Sequence, residues 1–431
     1  MNQVLNYFYE NNIIEVTRSK LYLLANFLMV YFGFILFVDH GGSKKTAIII
    51  LLIWLITGEY KKKIKKILKN PIAMSFLVFI GLFILGLLWT ENFYAGRKIL
   101  ERPLLYLIVP LMVSMYDKRF LKYYVLAIVA AILYTSILTI LIEHGLLDMK
   151  YTADESPFVN RVYLAGMLIF GYSYLFSKIH LNNSFVINIF LGIAVSMIVY
   201  TLIISGSRMG YINIIIATFI MVLYKYKPSK IQIMGLFTFL VLVTFAAYNL
   251  NPKVKTQVDK TSSVLIQMDL KSQIFGGDVS KRTSLTCRFE FWYYAYEMGQ
   301  NHFPLGVGTG DGILELERYI GKKETKKLFE DCQGAGSGQF NPHNMYIFMF
   351  MQFGILGVLV LFWMLYVHVS ESLKSQSISF IILVLTTILT LFSLSELFTS
   401  KFFIPFYGYA TIVMYLISKE SKEDKTLIPW K

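Results

Sequence analysis

Long runs of apolar residues alternate with short polar connectors along most of this 431-residue chain. A helix needs about 20 consecutive apolar residues to cross a lipid bilayer, and most of the runs approach that length. The pattern therefore predicts an all-α polytopic membrane protein with about twelve transmembrane helices. The predicted spans are residues 21–38, 47–58, 72–90, 104–115, 121–142, 162–176, 185–204, 211–224, 231–250, 345–369, 378–394 and 402–417.

The alternation is interrupted once, where the apolar runs stop between residues 251 and 342. This stretch is expected to form one large loop of helical segments between the ninth and tenth spans. The chain then divides into helices one to nine over residues 1–250, the loop over 251–342, helices ten to twelve over 343–418, and a tail over 419–431.

Composition supports the membrane assignment, and the distribution of charge sets the orientation. Hydrophobic residues make up 56% of the chain, against roughly 45–50% in soluble proteins with glycine included. The net charge is +14, but basic residues are concentrated in alternate connectors such as 59–71, so nucleic acid is not an expected partner. Short connectors rich in lysine and arginine face the cytoplasm. This rule places both termini in the cytoplasm and the large loop outside it.

Three arginines lie on the predicted outer side, against this trend. Arg208 occupies a tight turn between two apolar runs, Arg161 begins the sixth span, and Arg288 opens an aromatic helical segment of the loop. Each could simply extend to the lipid head groups, as arginines at helix ends do. Together they predict a site for a phosphorylated, membrane-bound ligand, because guanidinium groups make bidentate hydrogen bonds to phosphate and stay charged.

A histidine stands where the loop returns to the membrane. Pro342 suits the first position of a helix and Asn341 the cap before it, which would place His343 in the first turn of the tenth span. The positive end of that helix and nearby arginines would disfavour an imidazolium there. A neutral imidazole can accept a proton from an attacking hydroxyl. The alternative is an interfacial histidine without a chemical role.

Other features of the loop leave alternatives open. The glycine-rich turn between Gly306 and Gly310 could present N–H groups to an anion, or it could only turn the chain. Cys287 and Cys332 lie in a predicted compartment that permits disulfides, and they could be paired or separate thiols. The sequence carries none of the common metal-binding motifs, so neither a metal nor another cofactor is expected.

Three elements, in this order along the chain, resemble the O-antigen ligase and O-antigen polymerase superfamily of lipid-linked glycan transferases. They are the turn Ser205-Gly206-Ser207-Arg208, the segment from Arg288 to Trp292 with the glycines that follow it, and Pro342-His343-Asn344-Met345-Tyr346. The resemblance covers roughly residues 155–400. Asp311 departs from the family pattern, in which an apolar or small residue is frequent at that place, and it could contact a sugar hydroxyl or be solvated.

The resemblance implies a GT-C-like, metal-independent glycosyltransferase of the bacterial inner membrane. Its donor would be a glycan on undecaprenyl pyrophosphate, and in the ligase branch its acceptor would be a hydroxyl of lipid A–core at the periplasmic face, which yields lipopolysaccharide. Arg208 and Arg288 would bind the pyrophosphate. His343 would activate the acceptor hydroxyl on the opposite side of the anomeric carbon, which predicts inversion. Further contacts to pyrophosphate or sugar are expected from Arg161, Arg282, Trp292 and Asn344.

Three alternatives compete with the ligase. An O-antigen polymerase would use a second glycan chain as acceptor, and a protein O-oligosaccharyltransferase would use a protein hydroxyl. A single dominant outer loop that carries both Arg288 and His343 favours the ligase over the polymerase. A transporter of lipid-linked sugars would need ionisable side chains along a path through the membrane, whereas the polar chemistry here gathers at one face.

Overall fold

A computed structural model of the chain describes residues 2–148, 158–159, 161–180, 183–226, 284–332, 340–392, 398 and 400–423, with scattered positions between 229 and 262. Regular secondary structure within these ranges is entirely helical. Its α-helices are α1 (Asn2–Val38), α2 (His40–Ile56), α3 (Tyr60–Leu68), α4 (Pro71–Gly86), α5 (Phe93–Leu100), α6 (Ile108–Met115), α7 (Leu121–Glu143), α8 (Arg161–Ser177), α9 (Phe185–Ile204), α10 (Arg208–Tyr226), α11 (Ser284–Asn301), α12 (Gly312–Ile320), α13 (Lys322–Cys332), α14 (Met345–Ser375), α15 (Ile378–Leu391) and α16 (Phe403–Glu423).

The all-helical class predicted from the apolar runs is confirmed, and the helices are consistent with a polytopic membrane protein. Five helical stretches in the described residues are long and apolar enough to cross a membrane, and a sixth is added if the bent pair α3–α4 forms one span. The five correspond to predicted spans one, five, seven, eight and ten. The total of twelve spans stays a prediction, and the ninth of them, residues 231–250, lies largely outside the described residues. The five stretches are Glu15–Val38, Lys118–Glu143, Phe185–Ile204, Arg208–Lys225 and Met345–Ser375.

The connector before α4 shows how polar residues set a helix boundary. Gly58 and Glu59 have φ angles of 62° and 54°, so the chain leaves α2 through a left-handed turn. Asn70 then caps α4, because its side-chain oxygen accepts from the Ala73 N–H at 2.9 Å, and Pro71 supplies a first residue that needs no hydrogen-bond partner. Across the short break at Lys69 and Asn70, α3 is bent by 94° from α4.

The C-terminal helix α16 lies in the middle of the helical packing. Most of its first three turns is fully buried, including Phe406 and Tyr409. The Tyr409 hydroxyl donates to the Met29 carbonyl of α1 at 2.8 Å. On the other side, the Tyr407 hydroxyl and the Ser75 hydroxyl of α4 each hydrogen-bond one ring nitrogen of His368 in α14, at 2.8 and 2.9 Å. Both nitrogens of this buried histidine are therefore used to join α4, α14 and α16.

A backbone break divides α14 into a short N-terminal part and a longer C-terminal part. Gly354 adopts φ 56° and ψ −140° inside the helix. The Ile355 N–H consequently turns to the Pro304 carbonyl at 3.1 Å. A Cβ at Gly354 would lie 1.9 Å from that Pro304 oxygen, so only glycine fits where the loop inserts against the helix.

We expect Gly354→Ala to destabilise the protein. This positive-φ, glycine-specific backbone conformation costs roughly 1–3 kcal/mol for a residue with a Cβ, and overpacking against the Pro304 carbonyl adds roughly 1–3 kcal/mol. Thermal unfolding of the purified protein should show a clear fall in its midpoint. Gly192→Ala in α9 is the matched control, because a Cβ there meets nothing within 4 Å. Equal midpoints for the two variants would contradict the expectation.

Candidate active site

His343 lies just before α14, not inside its first turn. The helix begins at Met345, and Asn344 is its N-cap, with its side-chain oxygen accepting from the N–H groups of Tyr346 and Ile347 at 3.0 and 3.2 Å. His343 has a left-handed φ of 51°, and its N–H donates to the Asn341 side chain at 2.9 Å. The prediction that Asn341 caps the helix was therefore wrong, because the Asn344 side chain satisfies the N–H groups of the first turn instead.

Arg208 is the first residue of α10 and its side chain is exposed. The preceding Ser207 accepts from the Gly210 N–H at 3.3 Å, as an N-cap serine does. A cation at the N-terminal end of a helix is unfavourable to the helix dipole. The dipole of α10 therefore gives no structural reason for an arginine at this position.

Arg288 is half-buried on α11 and lies within electrostatic reach of Arg208. Its burial, and secondly the positive charge of Arg208, hold the pKa of the Arg288 guanidinium below its ordinary value. In the described part of the chain, no carboxylate lies within 4 Å of the Arg288 side chain. Two like charges, one exposed and one half-buried, thus lie near each other, an arrangement that an anionic ligand would stabilise.

The same face of α11 brings Arg288 towards His343. Arg288 and Phe291 are three residues apart and share a helix face, and the Phe291 and His343 rings lie 6.4 Å apart between centroids. Further along, the Tyr296 ring stacks on Phe350 at 5.8 Å. Helix α11 therefore follows the N-terminal part of α14, with Arg288 at the end where His343 lies.

The last turn of α15 joins the N-terminal parts of α10 and α14. The Asn213 side chain of α10 donates to the Thr390 hydroxyl at 2.9 Å. The Tyr346 hydroxyl of α14 donates to the Ile388 carbonyl at 3.3 Å. Arg208 precedes Asn213 by about one and a half turns, and His343 precedes Tyr346 by three residues. Helix packing thus brings Arg208, Arg288 and His343 to one end of the molecule.

A disulfide and an aromatic cluster fix α11 in this position. Cys287 and Cys332 are bonded, with their Cα atoms 5.6 Å apart and a sequence separation of 45, which answers the question that the sequence left open. Closing a loop of this length is worth about 4 kcal/mol in the chain-entropy account. The buried Phe291 ring packs on Phe340 at 5.4 Å. Both constraints act within one turn of Arg288.

The glycine-rich turn packs against the protein and does not present its N–H groups to a ligand. The N–H groups of Val307 and Gly308 donate to the carbonyls of Met351 and Gln352, both at 2.9 Å. The Gly310 N–H donates to the Gln352 side-chain oxygen at 2.8 Å. The second alternative, a turn with a structural role, is therefore the one observed. Gln352 is a buried polar residue in an apolar helix, and that mismatch was the sequence signal for this contact.

Asp311 anchors the loop to the connector after α4. Its side chain is 2% exposed, and its two oxygens accept from the N–H groups of Glu91 and Asn92 at 2.7 and 2.9 Å. It is thus neither solvated nor directed at a sugar, as the sequence had suggested. The sequence could not reveal this contact because the partners lie about 220 residues earlier.

The structure gives only part of the surroundings of the other predicted site residues. Helix α8 begins at Arg161, and its next turn packs Ala165 against Gly210 of α10, so the start of α8 lies at the same end as Arg208. Arg282 lies outside the described residues. Trp292 shares the Arg288 face of α11, and its buried indole N–H has no hydrogen-bond partner among the described residues.

Comparison with known proteins finds one family model that matches the segment carrying these residues. Residues 192–362 match the family model described as O-antigen ligase, and no curated protein matches the chain. The matched segment contains Arg208, Arg288 and His343. Within the described residues, no three His, Cys, Asp or Glu side chains form a group that could hold a metal, and independence from metal stays a prediction. The O-antigen ligase domain model found at residues 192–362 supports the O-antigen ligase superfamily.

Proposed function

We propose that this protein transfers a glycan from undecaprenyl pyrophosphate to a hydroxyl of lipid A–core at the periplasmic face of the bacterial inner membrane. The observation that carries the proposal is that Arg208 lies within electrostatic reach of Arg288, while Phe291, on the Arg288 face of α11, lies 6.4 Å from the His343 ring. The O-antigen ligase domain over residues 192–362 supports the same class of reaction. Twelve spans with cytoplasmic termini and a periplasmic loop belong to this proposal.

The arginines are suited to the departing pyrophosphate. As the bond between the anomeric carbon and the phosphate oxygen breaks, negative charge grows on that oxygen. Arg208 and Arg288 carry permanent positive charge and can each make two parallel hydrogen bonds to phosphate oxygens. The charge repulsion and burial that lower the pKa of Arg288 would be relieved by the bound pyrophosphate. Part of the binding free energy of the pyrophosphate can therefore stabilise the negative charge that develops on the leaving oxygen.

The histidine supplies the proton acceptor. In the proposed step the acceptor oxygen forms a bond to the anomeric carbon, its proton moves to an imidazole nitrogen of His343, and undecaprenyl pyrophosphate leaves with the bonding electron pair. A neutral imidazole acts in this way as a general base. Attack from the side opposite to the leaving group inverts the anomeric configuration. Trp292 and Asn344, with an indole and an amide N–H, are the proposed sugar contacts, and Arg161 and Arg282 are proposed to reinforce the phosphate site.

An acceptor comparison tests the proposal. Proteoliposomes of the full chain receive one undecaprenyl pyrophosphate-linked glycan together with lipid A–core, with no further acceptor, or with a hydroxyl-bearing peptide. We expect product only with lipid A–core, with the anomeric configuration inverted by NMR. A glycan ladder formed from donor alone would indicate a polymerase, and a glycopeptide would indicate a protein O-oligosaccharyltransferase. No transfer in any arm would contradict all three.

A further inference from the structure

A polar cavity lies at the end of α4 opposite to the candidate active site. It encloses about 520 Å³ between α1, α3 and the connector from α6 to α7. Thr309 of the loop contacts Gly86 at the other end of α4, so the 16 residues of this helix separate the cavity from the loop that carries Arg288 by roughly 24 Å. The cavity therefore does not belong to the proposed transferase site.

Basic side chains dominate the wall that α3 contributes. Lys62, Lys63 and Lys66 line the cavity, and Arg119 faces them from the α6–α7 connector. Arg119 is paired with Asp117 at 2.6 Å, and Lys62 lies 3.7 Å from Glu59. Among the described residues, no carboxylate lies within 4 Å of Lys66. Four cations against two carboxylates leave the cavity positively charged.

One lysine is held in place inside the wall. Lys63 is 1% exposed, donates to the Trp54 carbonyl and to the Thr57 hydroxyl at 2.6 Å, and lies 4.9 Å from the Trp54 ring centroid. An ammonium group has three N–H donors, so these two bonds leave one donor within the described surroundings. Burying a cation in this way is costly without further partners. The cavity side of Lys63 is therefore suited to an anion.

The opposite wall is rigid. Asn26 of α1 donates from its side chain to the Tyr22 and Met115 carbonyls at 2.7 and 3.1 Å, and its oxygen accepts from the Asp117 N–H at 2.8 Å. These bonds fasten the α6–α7 connector to α1. The cavity is therefore part of the folded structure and not a gap between loosely packed helices.

Helix α3 has the form of a helix lying in the membrane surface. Tyr60, Ile64 and Leu68 recur every four residues along one face and are 47%, 45% and 60% exposed, and the helix is bent 94° from the span α4. An exposed apolar stripe beside lysines is typical of helices that lie among lipid head groups. The cavity itself is bordered by Leu23 of the candidate span in α1, which is 44% exposed, so apolar surface also lies at the edge of the cavity.

We propose that this cavity binds a phosphate ester anion, and that its occupant is the head group of an anionic phospholipid from the adjacent leaflet. Lys62 and Lys66 provide the charge, Lys63 provides a buried donor, and the exposed Leu23 of α1 lies at the edge of the cavity where the acyl chains would leave it. A soluble phosphate would satisfy the same lysines but would leave this apolar edge unused. Basic pockets between transmembrane helices are known to select acidic lipids in this manner.

The test uses two lysine pairs on the same helix. Lys62→Gln/Lys66→Gln removes two charges from the cavity wall. Lys61→Gln/Lys65→Gln removes two exposed charges at the same spacing from the neighbouring face, which does not line the cavity. Native mass spectrometry of the full chain, purified from vesicles of phosphatidylglycerol and phosphatidylcholine, counts the retained lipid. Each lysine near an anionic lipid adds to the free energy of lipid binding. We therefore expect the loss of two lysines to weaken the retention of phosphatidylglycerol about 30-fold.

We expect the unmodified protein and the Lys61/Lys65 variant to retain phosphatidylglycerol over phosphatidylcholine, and the Lys62/Lys66 variant to lose that preference. Displacement of the lipid by millimolar inorganic phosphate would identify a soluble phosphate as the occupant of the same site. Equal losses in the two variants would show diffuse attraction to the helix and overturn the proposal. So would equal retention of the two lipids by the unmodified protein. Equal thermal midpoints establish that both variants are folded.

Discussion

Replacing His343 with alanine should lower the rate of glycan transfer by about 10²–10⁴-fold, the usual contribution of a positioned general base. His343 is outside α14, and its neighbour Asn344 provides the cap, so the substitution leaves the start of the helix intact. The donor should still bind, because the proposed phosphate ligands remain. The measurement is the single-turnover rate with saturating donor and lipid A–core, with donor affinity determined separately.

His302→Ala is the matched control for this effect. His302 lies in the same loop, just past α11, where its ring contacts the Met298 carbonyl at 3.0 Å and Glu315 at 3.5 Å. Neither contact reaches the proposed site, so the transfer rate should change little. A His343→Ala protein that keeps half or more of the normal rate would remove the general-base role and leave the phosphate site untouched.

Arg208→Ala and Arg288→Ala should each weaken binding of the lipid pyrophosphate donor. A hydrogen bond to a charged group contributes about 1.5–3 kcal/mol, which corresponds to a loss of roughly 10- to 150-fold in affinity. The two effects should not add in the double variant, because both side chains act on one ligand and on each other. Arg→Lys at either position should recover only part of the affinity, since an ammonium cannot bind phosphate in a bidentate manner.

Arg318→Ala provides the comparison for charge alone. Arg318 lies on α12, where it pairs at the protein surface with Glu91 and Glu315. The substitution Arg318→Ala therefore removes one positive charge without changing the proposed site. Donor affinity can be measured as the rise in thermal midpoint that the donor produces, because a ligand of the folded state stabilises it. A full donor-induced rise in the Arg208/Arg288 double variant would contradict the phosphate role.

The candidate residues could be found from sequence because their signals are local. An arginine in a short turn between apolar runs, an Arg-x-x-x-Trp helix and a Pro-His-Asn segment are each visible without a partner. Their grouping is a different matter. Helices α10 and α14 both bond to the last turn of α15, at Thr390 and Ile388, and α11 packs along α14. Arg208 on α10 therefore approaches Arg288 on α11. Such contacts depend on how distant helices pack, and no local pattern contains them.

Local rules also failed where two of them competed. Asn341 and Asn344 are both good helix caps, and Pro342 between them favours the earlier start. In the structure the Asn344 side chain takes the N–H groups of the first turn, while Asn341 receives the His343 N–H. Asp311 illustrates the same limit, because an exposed-looking aspartate became a buried anchor once the connector after α4 supplied two N–H donors.

The sequence by itself determined the all-helical membrane class and the positions of the five longest apolar helices, because an apolar run of bilayer length has one stable form in lipid. Only the tertiary structure decided the Cys287–Cys332 pairing, the break at Gly354 and the left-handed place of His343 before its helix. It also decided that α3 encloses a basic cavity at the far end of α4. Each of these depends on groups brought together from separate parts of the chain, whereas helix formation depends on neighbours within a few residues.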